Sequence, residues 1–362
     1  MSDLSPLFQS YEVVAERVLA LVDLSPLRGK RVLITGSNGL LGSHILWAIL
    51  KANRDLNYDI ALTAISKSEP NLWLKTAWLQ DNPRFRALSL DLSKELPQGL
   101  RAERFDCVIH AATYGQPKKF IADPLSTMTL NADLTKTLLS MCNGPSSRFL
   151  LASTSELYGA AGDLEHPVHE LFPAKIATQD ARSVYTAAKL YAEVLCKVHL
   201  EKNLCQARIA RISSAFGPGV NLQDDRVLNV FMLRAMNEGS LKIMDAGLQQ
   251  RRWLYISDAV AMMLHILLHA RDLVYNVSGT EILSIADLAK HIAKIANVPF
   301  SFPEQKMDAH HTKDALALIN MDNTKIWESM GEPKLFSVES GLRETFSWLS
   351  HLQNLKREGS FL

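Results

Sequence analysis

The sequence predicts an α/β protein, a doubly wound parallel sheet with a smaller C-terminal lobe, and three observations carry that prediction. Short apolar runs alternate with amphipathic segments of helix length through most of the 362 residues, the pattern of repeated βαβ units. A glycine-rich turn, ITGSNGLLGSH, joins the first apolar run to the helix after it. Beyond Phe216 the alternation loosens into GPGVNLQDDR, a loop of Gly, Pro and Asp, and then into helices joined by short strands.

Residues 1–29 precede the sheet. YEVVAERVLALV within them has helical periodicity and is expected to pack as an extra amphipathic helix, with SPLRGK as the turn that follows. Strands are expected at RVLIT (31–35), DIALTAI (59–65), FRALSL (85–90), DCVIHAA (106–112), RFLLAS (148–153) and QARIARI (206–212). Helices are expected near 40–52, 124–142 and 182–203. Residues 30–215 thus form the sheet domain. Residues 216–362 form the smaller lobe, with helices near 226–238, 257–270, 284–296 and 338–350. The helix at 257–270 and a strand at 273–277 are placed to return to the sheet.

Composition narrows the partners. Basic and acidic residues nearly cancel, 39 against 38, with no long run of like charge, so neither a nucleic-acid nor a membrane surface is expected. Small molecules or a second copy of the chain remain. The N-terminus lacks a basic segment followed by an apolar one, and no stretch approaches the roughly 18 apolar residues of a spanning helix. A cytoplasmic protein is expected. Cys107, Cys142, Cys196 and Cys205 have no CxxC spacing and sit mostly in apolar contexts, which predicts buried free thiols. No metal site is expected; His310 and His311 lie on a polar stretch without convergent partners and read as a surface loop.

The chemistry starts at the glycine turn. Gly36 permits the tight bend, Gly39 lets the backbone approach a pyrophosphate, and Gly42 allows close helix packing, while the helix N-terminus offers oriented N–H groups to a dinucleotide. An acidic residue is expected after the second strand to hold a ribose 2′-hydroxyl, but the sequence there reads Ser66-Lys67-Ser68. Two readings stay open: Lys67 meets a 2′-phosphate, or Ser66 binds the plain ribose while Lys67 is solvated. Asp91, after the third strand, either accepts from an adenine amino group or caps a helix. Tyr185 and Lys189 are four residues apart, so one helix face carries both. An ammonium there favours phenolate; bringing a tyrosine from about 10 to near 7 takes roughly 4 kcal/mol of differential stabilisation. The stretch FLLASTSELYG ends an apolar strand in Ser153, Thr154, Ser155 and Glu156, side chains that need polar partners.

Together these motifs resemble the extended short-chain dehydrogenase/reductase family of nucleotide-sugar epimerases, dehydratases and decarboxylases, over residues ~30 to ~350. Thr35 to Gly42 match its T-G-x-x-G-x-x-G loop, Tyr185 and Lys189 its Y-x-x-x-K pair, and Thr154 its catalytic hydroxyl four residues before Tyr158-Gly159. IHAA (109–112), FGPG (216–219), RRWLYISDAV (251–260) and GLRETFSWL (341–349) match as well. The resemblance implies a Rossmann-type sheet that binds NAD, or NADP, through Gly36, Asn38, Gly39, Leu40, Leu41, Gly42, Ser66, Lys67, Asp91, Leu92, Ala111, Ala112, Tyr185 and Lys189. It implies Thr154, Glu156, Tyr185 and Lys189 as the catalytic set and a nucleotide sugar as substrate. Thr154-Ser155-Glu156 is similar to the Thr-Ser-Glu of UDP-glucuronate decarboxylases, where 4,6-dehydratases carry Thr-Asp-Glu and simple 4-epimerases lack the acid. Arg182, three residues before Tyr185, and DDRVLNVF (224–231) are similar to the decarboxylases too.

Arg251 aligns with the family arginine on the diphosphate, and Arg226 is placed to assist. Tyr114, Gln116 and Lys118 lie where the sugar passes. The chain departs from the decarboxylases at Thr186-Ala187-Ala188 and Leu190, and Ser214 replaces the usual Asn before FGP. A homodimer is implied, through helices near 124–142 and 182–203. The expected function is therefore NAD(P)-dependent decarboxylation of a UDP-glucuronate-like sugar through a 4-keto intermediate. A 4-epimerase or 4,6-dehydratase shares the first step, and a non-catalytic cofactor-binding regulator shares only the fold.

Overall fold

The computed structural model describes residues 4–69, 84–159, 161, 165–302 and 319–358. Twelve strands are described: β1 (Arg31–Thr35), β2 (Ala61–Ser66), β3 (Phe85–Ser89), β4 (Cys107–His110), β5 (Arg148–Thr154), β6 (Gln206–Ile212), β7 (Ser214–Phe216), β8 (Leu241–Lys242), β9 (Gln250–Tyr255), β10 (Val274–Val277), β11 (Ile282–Ser284) and β12 (Phe300–Ser301). Seven of them form one all-parallel sheet in the order β10-β6-β5-β4-β1-β2-β3. This is the expected doubly wound architecture. β10 reaches the sheet edge beside β6, pairing Val277 with Ile212.

The strands are apolar on both faces because helices cover both faces. Val32 and Ile34 of β1 point into one core with Ile109, Leu150 and Ala210, covered by the helices Leu40–Leu56 and Ile256–Leu268. Leu33 points the other way, with Val108, Phe149, Leu151 and Ile209, under Leu134–Ser140 and Ser183–Glu201. The chain winds outward in both directions from β1 and β4, so a crevice opens where their carboxyl ends separate, the place where open α/β sheets bind ligands.

The N-terminal helix Ser5–Leu21 buries Leu7, Tyr11, Val14, Ala15 and Val18, one face at helical spacing. The Tyr11 ring stacks on His44 at 4.1 Å, and its hydroxyl meets Ser43 Oγ at 2.9 Å, so this helix braces the one that follows the glycine turn.

The helix expected near 124–142 is interrupted. Pro124–Met128 and Leu134–Ser140 flank a π-helical turn, Thr129–Asp133. There Asn131 donates to the Thr127 carbonyl at 2.7 Å and Thr135 to the Asn131 carbonyl at 2.6 Å; such back-bonding competes with the main-chain ladder. A short helix, Pro117–Ala122, is opened by a proline at its first position. The smaller lobe holds the three-stranded sheet β11-β9-β7 and the pair β12-β8. No described helix is long and apolar enough to cross a membrane.

Candidate active site

The glycine turn follows β1 and packs against the end of β4. Gly36 has φ +75°, and a Cβ there would stand 2.7 Å from the Ala111 carbonyl carbon and oxygen and from the Ala112 nitrogen. A Cβ at Gly42 would stand 2.2 Å from the Gly36 carbonyl oxygen. Only glycine allows the turn, the end of β4 and the following helix to close together this way. Gly39 is the N-cap, with Leu40 and Leu41 half-buried in the first turn behind it. This cradle, with backbone N–H groups at a helix N-terminus, fits a dinucleotide diphosphate.

Beside it, Asn38 Nδ2 donates to Ser68 O and Oγ and to Glu69 O at 3.1, 2.9 and 2.8 Å, which ties the turn to the segment after β2. Ser66 is buried and donates to Ser68 O. Lys67 Nζ lies 3.2 Å from Asp91 Oδ2, and its side chain is 65 % exposed. Asp91 Oδ1 also accepts from Ser93 N and Oγ, closing a local turn, while Leu92 enters the core. Asp91 holds Lys67 above the usual lysine range, and Ser93 holds Asp91 below the usual carboxylate range.

Next along the crevice, β5 delivers its end to the helix Ser183–Glu201. Thr154 Oγ1 accepts from Glu156 N at 3.2 Å and is in hydrogen-bonding reach of the Tyr185 phenol. Lys189 Nζ donates to the Ala152 carbonyl at 2.6 Å and stands 5.9 Å from the centre of the Tyr185 ring. Both side chains are buried. Tyr185 stacks on Phe120 at 4.8 Å with the planes 5° apart. Burial, and then the Glu156 charge, push the Tyr185 phenol up, against Thr154 and Arg182. Burial pushes the Lys189 amine down to about 7, opposed first by Glu193.

Glu156 accepts a fork from Arg182, Nε to Oε2 at 3.1 Å and Nη2 to Oε1 at 2.7 Å. Arg251 on β9 is near enough to feel both charges, and donates Nη1 to Gln250 O. Ser155 opens the short turn Ser155–Tyr158, and Ser214 opens β7 opposite Trp253; both are half-buried. Arg226 grips the buried Asp224 with Nε at 3.0 Å and Nη2 at 2.5 Å. Gln116 also bonds Asp224, and Lys118 lies 3.6 Å from Asp225, so residues 116–118 are tied to the 224–226 loop. Tyr114 is half-buried beside Lys67.

The structure therefore brings Thr154, Glu156, Arg182, Tyr185, Lys189 and Arg251 into one cluster, with the glycine turn alongside. Arg226 pairs with Asp224. Sequence reasoning missed Phe120, whose signal is one aromatic in the polar run QPKKF, and Glu193, whose signal is its place four residues beyond Lys189. Among the described residues no cluster suits a metal; His310 and His311 lie outside them.

Residues 32–278 match the model of the NAD dependent epimerase/dehydratase family. The chain belongs to that family. UDP-glucuronic acid decarboxylase 1 of Danio rerio is 26% identical over 326 residues, 89% of this chain and 73% of the relative. UDP-glucuronic acid decarboxylase 5 of Arabidopsis thaliana is 28% identical over 319 residues, 86% and 89%. Among solved structures, the dTDP-glucose 4,6-dehydratase DesIV of Streptomyces venezuelae, with NAD bound, superposes with a TM-score of 0.73 at 21% identity, over 90% of this chain and 98% of that one. A UDP-N-acetylglucosamine 4-epimerase of Methanobrevibacter ruminantium gives 0.71 at 20% identity, over 88% and 97%. NAD is the family's cofactor, and the cradle at Gly36 and Gly42 fits it.

Because Lys189 is depressed to about 7 when folded and returns to near 10.4 when unfolded, the unfolded chain holds the extra proton between those values. The lysine therefore adds stability as pH rises through that window, by at most about 1.4 kcal/mol per unit. Urea unfolding of the cofactor-free protein at pH 7 and pH 9 should show the parent gaining on Lys189→Met at the higher pH. A difference that does not move with pH contradicts the assignment.

Proposed function

We propose that this chain decarboxylates a UDP-glucuronate-like nucleotide sugar through a 4-keto intermediate. The observation that carries the reading is Ser155 between Thr154 and Glu156, beside the Tyr185–Lys189 pair. A dehydratase must protonate a departing hydroxyl, and a serine is a far poorer general acid near neutral pH than a carboxyl group. A decarboxylase loses neutral carbon dioxide and needs no such acid. The relatives named as UDP-glucuronic acid decarboxylases support the choice.

The cofactor would lie on Gly36, Asn38, Gly39, Leu40, Leu41 and Gly42, with Ser66, Lys67, Asp91 and Leu92 toward its adenosine end and Ala111 and Ala112 beside the turn. Bound NAD supplies the hydride acceptor at the sugar C4 and returns the hydride afterwards. Tyr185 takes the proton from the 4-hydroxyl, with Thr154 hydrogen-bonded to the same oxygen and Lys189 supporting the phenolate. The resulting ketone stands β to the carboxylate, so the electrons of the C5–C6 bond can pass into it as carbon dioxide leaves. Glu156, steadied by Arg182, orients the ring or relays a proton. Arg251, with Arg226 assisting, holds the diphosphate, and Tyr114, Gln116 and Ser214 border the sugar.

Purified protein incubated with UDP-glucuronate and NAD should yield a product lighter by one carbon dioxide. Loss of one water from a hexose nucleotide, or a hexuronate that keeps its carboxylate and inverts C4, would make it a dehydratase or an epimerase instead. Tyr185→Phe should fold and bind NAD yet make no reduced cofactor in a single turnover; substantial reduced cofactor defeats its role as base.

Lys67 is the exposed cation available to a 2′-phosphate, although Asp91 already faces it. Lys67→Ala should weaken NADP binding far more than NAD binding, and equal effects would make Lys67 a surface charge.

A homodimer fits the apolar stripe of Tyr191, Val194 and Val198 on the Tyr185 helix, exposed beside Leu125 and Met128. Light scattering at micromolar concentration should report two chains; one chain contradicts the dimer. Four free thiols support a reducing, cytoplasmic setting.

A further inference from the structure

Three consecutive residues of β5 each hold one turn of the Tyr185 helix. The Ala152 carbonyl accepts from Lys189 at 2.6 Å, Ser153 Oγ donates to Glu193 Oε1 at 2.6 Å, and Thr154 reaches the Tyr185 phenol. Tyr185, Lys189 and Glu193 follow one another at intervals of four and so share a face. The first two belong to the site already described. Glu193 lies one turn beyond them and is only 5% exposed, and a charge so buried needs partners.

Those partners are unusually complete. Arg211 on β6 gives Nε to Oε1 at 3.0 Å and Nη2 to Oε2 at 2.7 Å. The Arg211 fork is in turn held by the Tyr158 hydroxyl at 2.9 Å and the Glu170 carbonyl at 3.0 Å, and Tyr158 donates to Asn276 at 2.6 Å. Groups on β5, β6, β10 and the turn after β5 thus converge to fix one carboxylate a single turn from the Lys189 amine.

We infer that Glu193 is a positioning residue for the reaction, whose carboxylate favours the ammonium form of Lys189 on the Ala152 carbonyl and through that charge favours the Tyr185 phenolate. The inference rests on the roles of Tyr185 and Lys189 given above. The other groups near Lys189 do not substitute for it. Cys196, on the same helix, is held protonated by burial, and His110 on β4 is held neutral by burial, down to about 3. Arg211 is committed to Glu193, while Glu156 and Arg182 face the phenol and each other. Burial drives Lys189 toward the neutral amine, and Glu193 is the first influence opposing it. A neutral amine can still bond Ala152 but offers a phenolate no charge.

The test is a pH titration of phenolate absorbance in the NAD-loaded full chain, each background measured with and without Tyr185→Phe so that the difference isolates Tyr185. Glu193→Gln should move that step up by about one pH unit, a tenfold smaller phenolate fraction at neutral pH, and Glu193→Asp should restore most of it. Should the unpaired Arg211 unfold the single variant, Glu193→Gln combined with Arg211→Met removes both charges and should still move the step up, by less than the single variant, because the lost guanidinium had itself disfavoured the ammonium. A step that stays in place in the folded variants overturns the inference. No Tyr185 step at all in the parent overturns the reading of Tyr185 as a tuned base, and the inference with it.

Discussion

A buried ammonium beside a buried phenol is the constraint that the rest of the site answers. Burial opposes the charged form of each, lowering Lys189 and raising Tyr185. A site that needs phenolate must therefore supply local charge and hydrogen bonds that water no longer provides. The Ala152 carbonyl receives the amine, Phe120 covers the phenol ring, and the Glu156–Arg182 fork lies near enough to act on the phenol, with Arg182 over the Phe120 ring. These contacts come from separate stretches of chain, so the geometry depends on the sheet that brings them together.

The sheet does so through close approaches that leave no slack. β5 runs beside β4, and β4 beside β1, so the residue ending β5 and the turn ending β1 open onto one crevice. Gly36 and Gly42 let the cofactor helix seat against the end of β4. The N-terminal helix holds that same helix from outside, by Tyr11 on His44. His44 Nε2 also meets the Pro218 carbonyl at 2.8 Å, and a Cβ on Gly219 would stand 2.9 Å from the Tyr11 hydroxyl. The turn that follows β7 is thereby locked onto the helix that follows the glycine turn.

What the sequence made legible is what local pattern encodes. The central strands stand out because apolar runs of five to seven residues alternate with amphipathic helices, and β5 ends at Thr154, one residue beyond its expected limit. Tyr185 and Lys189 were visible because helical spacing alone puts them on one face. The π-helical turn at Thr129–Asp133 was not, since it depends on where the Asn131 and Thr135 side chains bond. Nor was the commitment of Arg226 to Asp224, or of Arg211 to Glu193, whose partner lies on the next strand. Spacing can nominate a charged residue; only the fold decides which opposite charge it meets.

The account turns on one bond, that between C5 and C6 of a hexuronate, broken after oxidation at C4. Carbon-13 NMR of the reaction with UDP-glucuronate labelled at C6, run with NAD and the full chain, follows that bond directly. The account predicts that the label leaves the nucleotide sugar and appears as carbon dioxide and bicarbonate while an unlabelled pentose nucleotide accumulates. A label that stays on the sugar through turnover would contradict it.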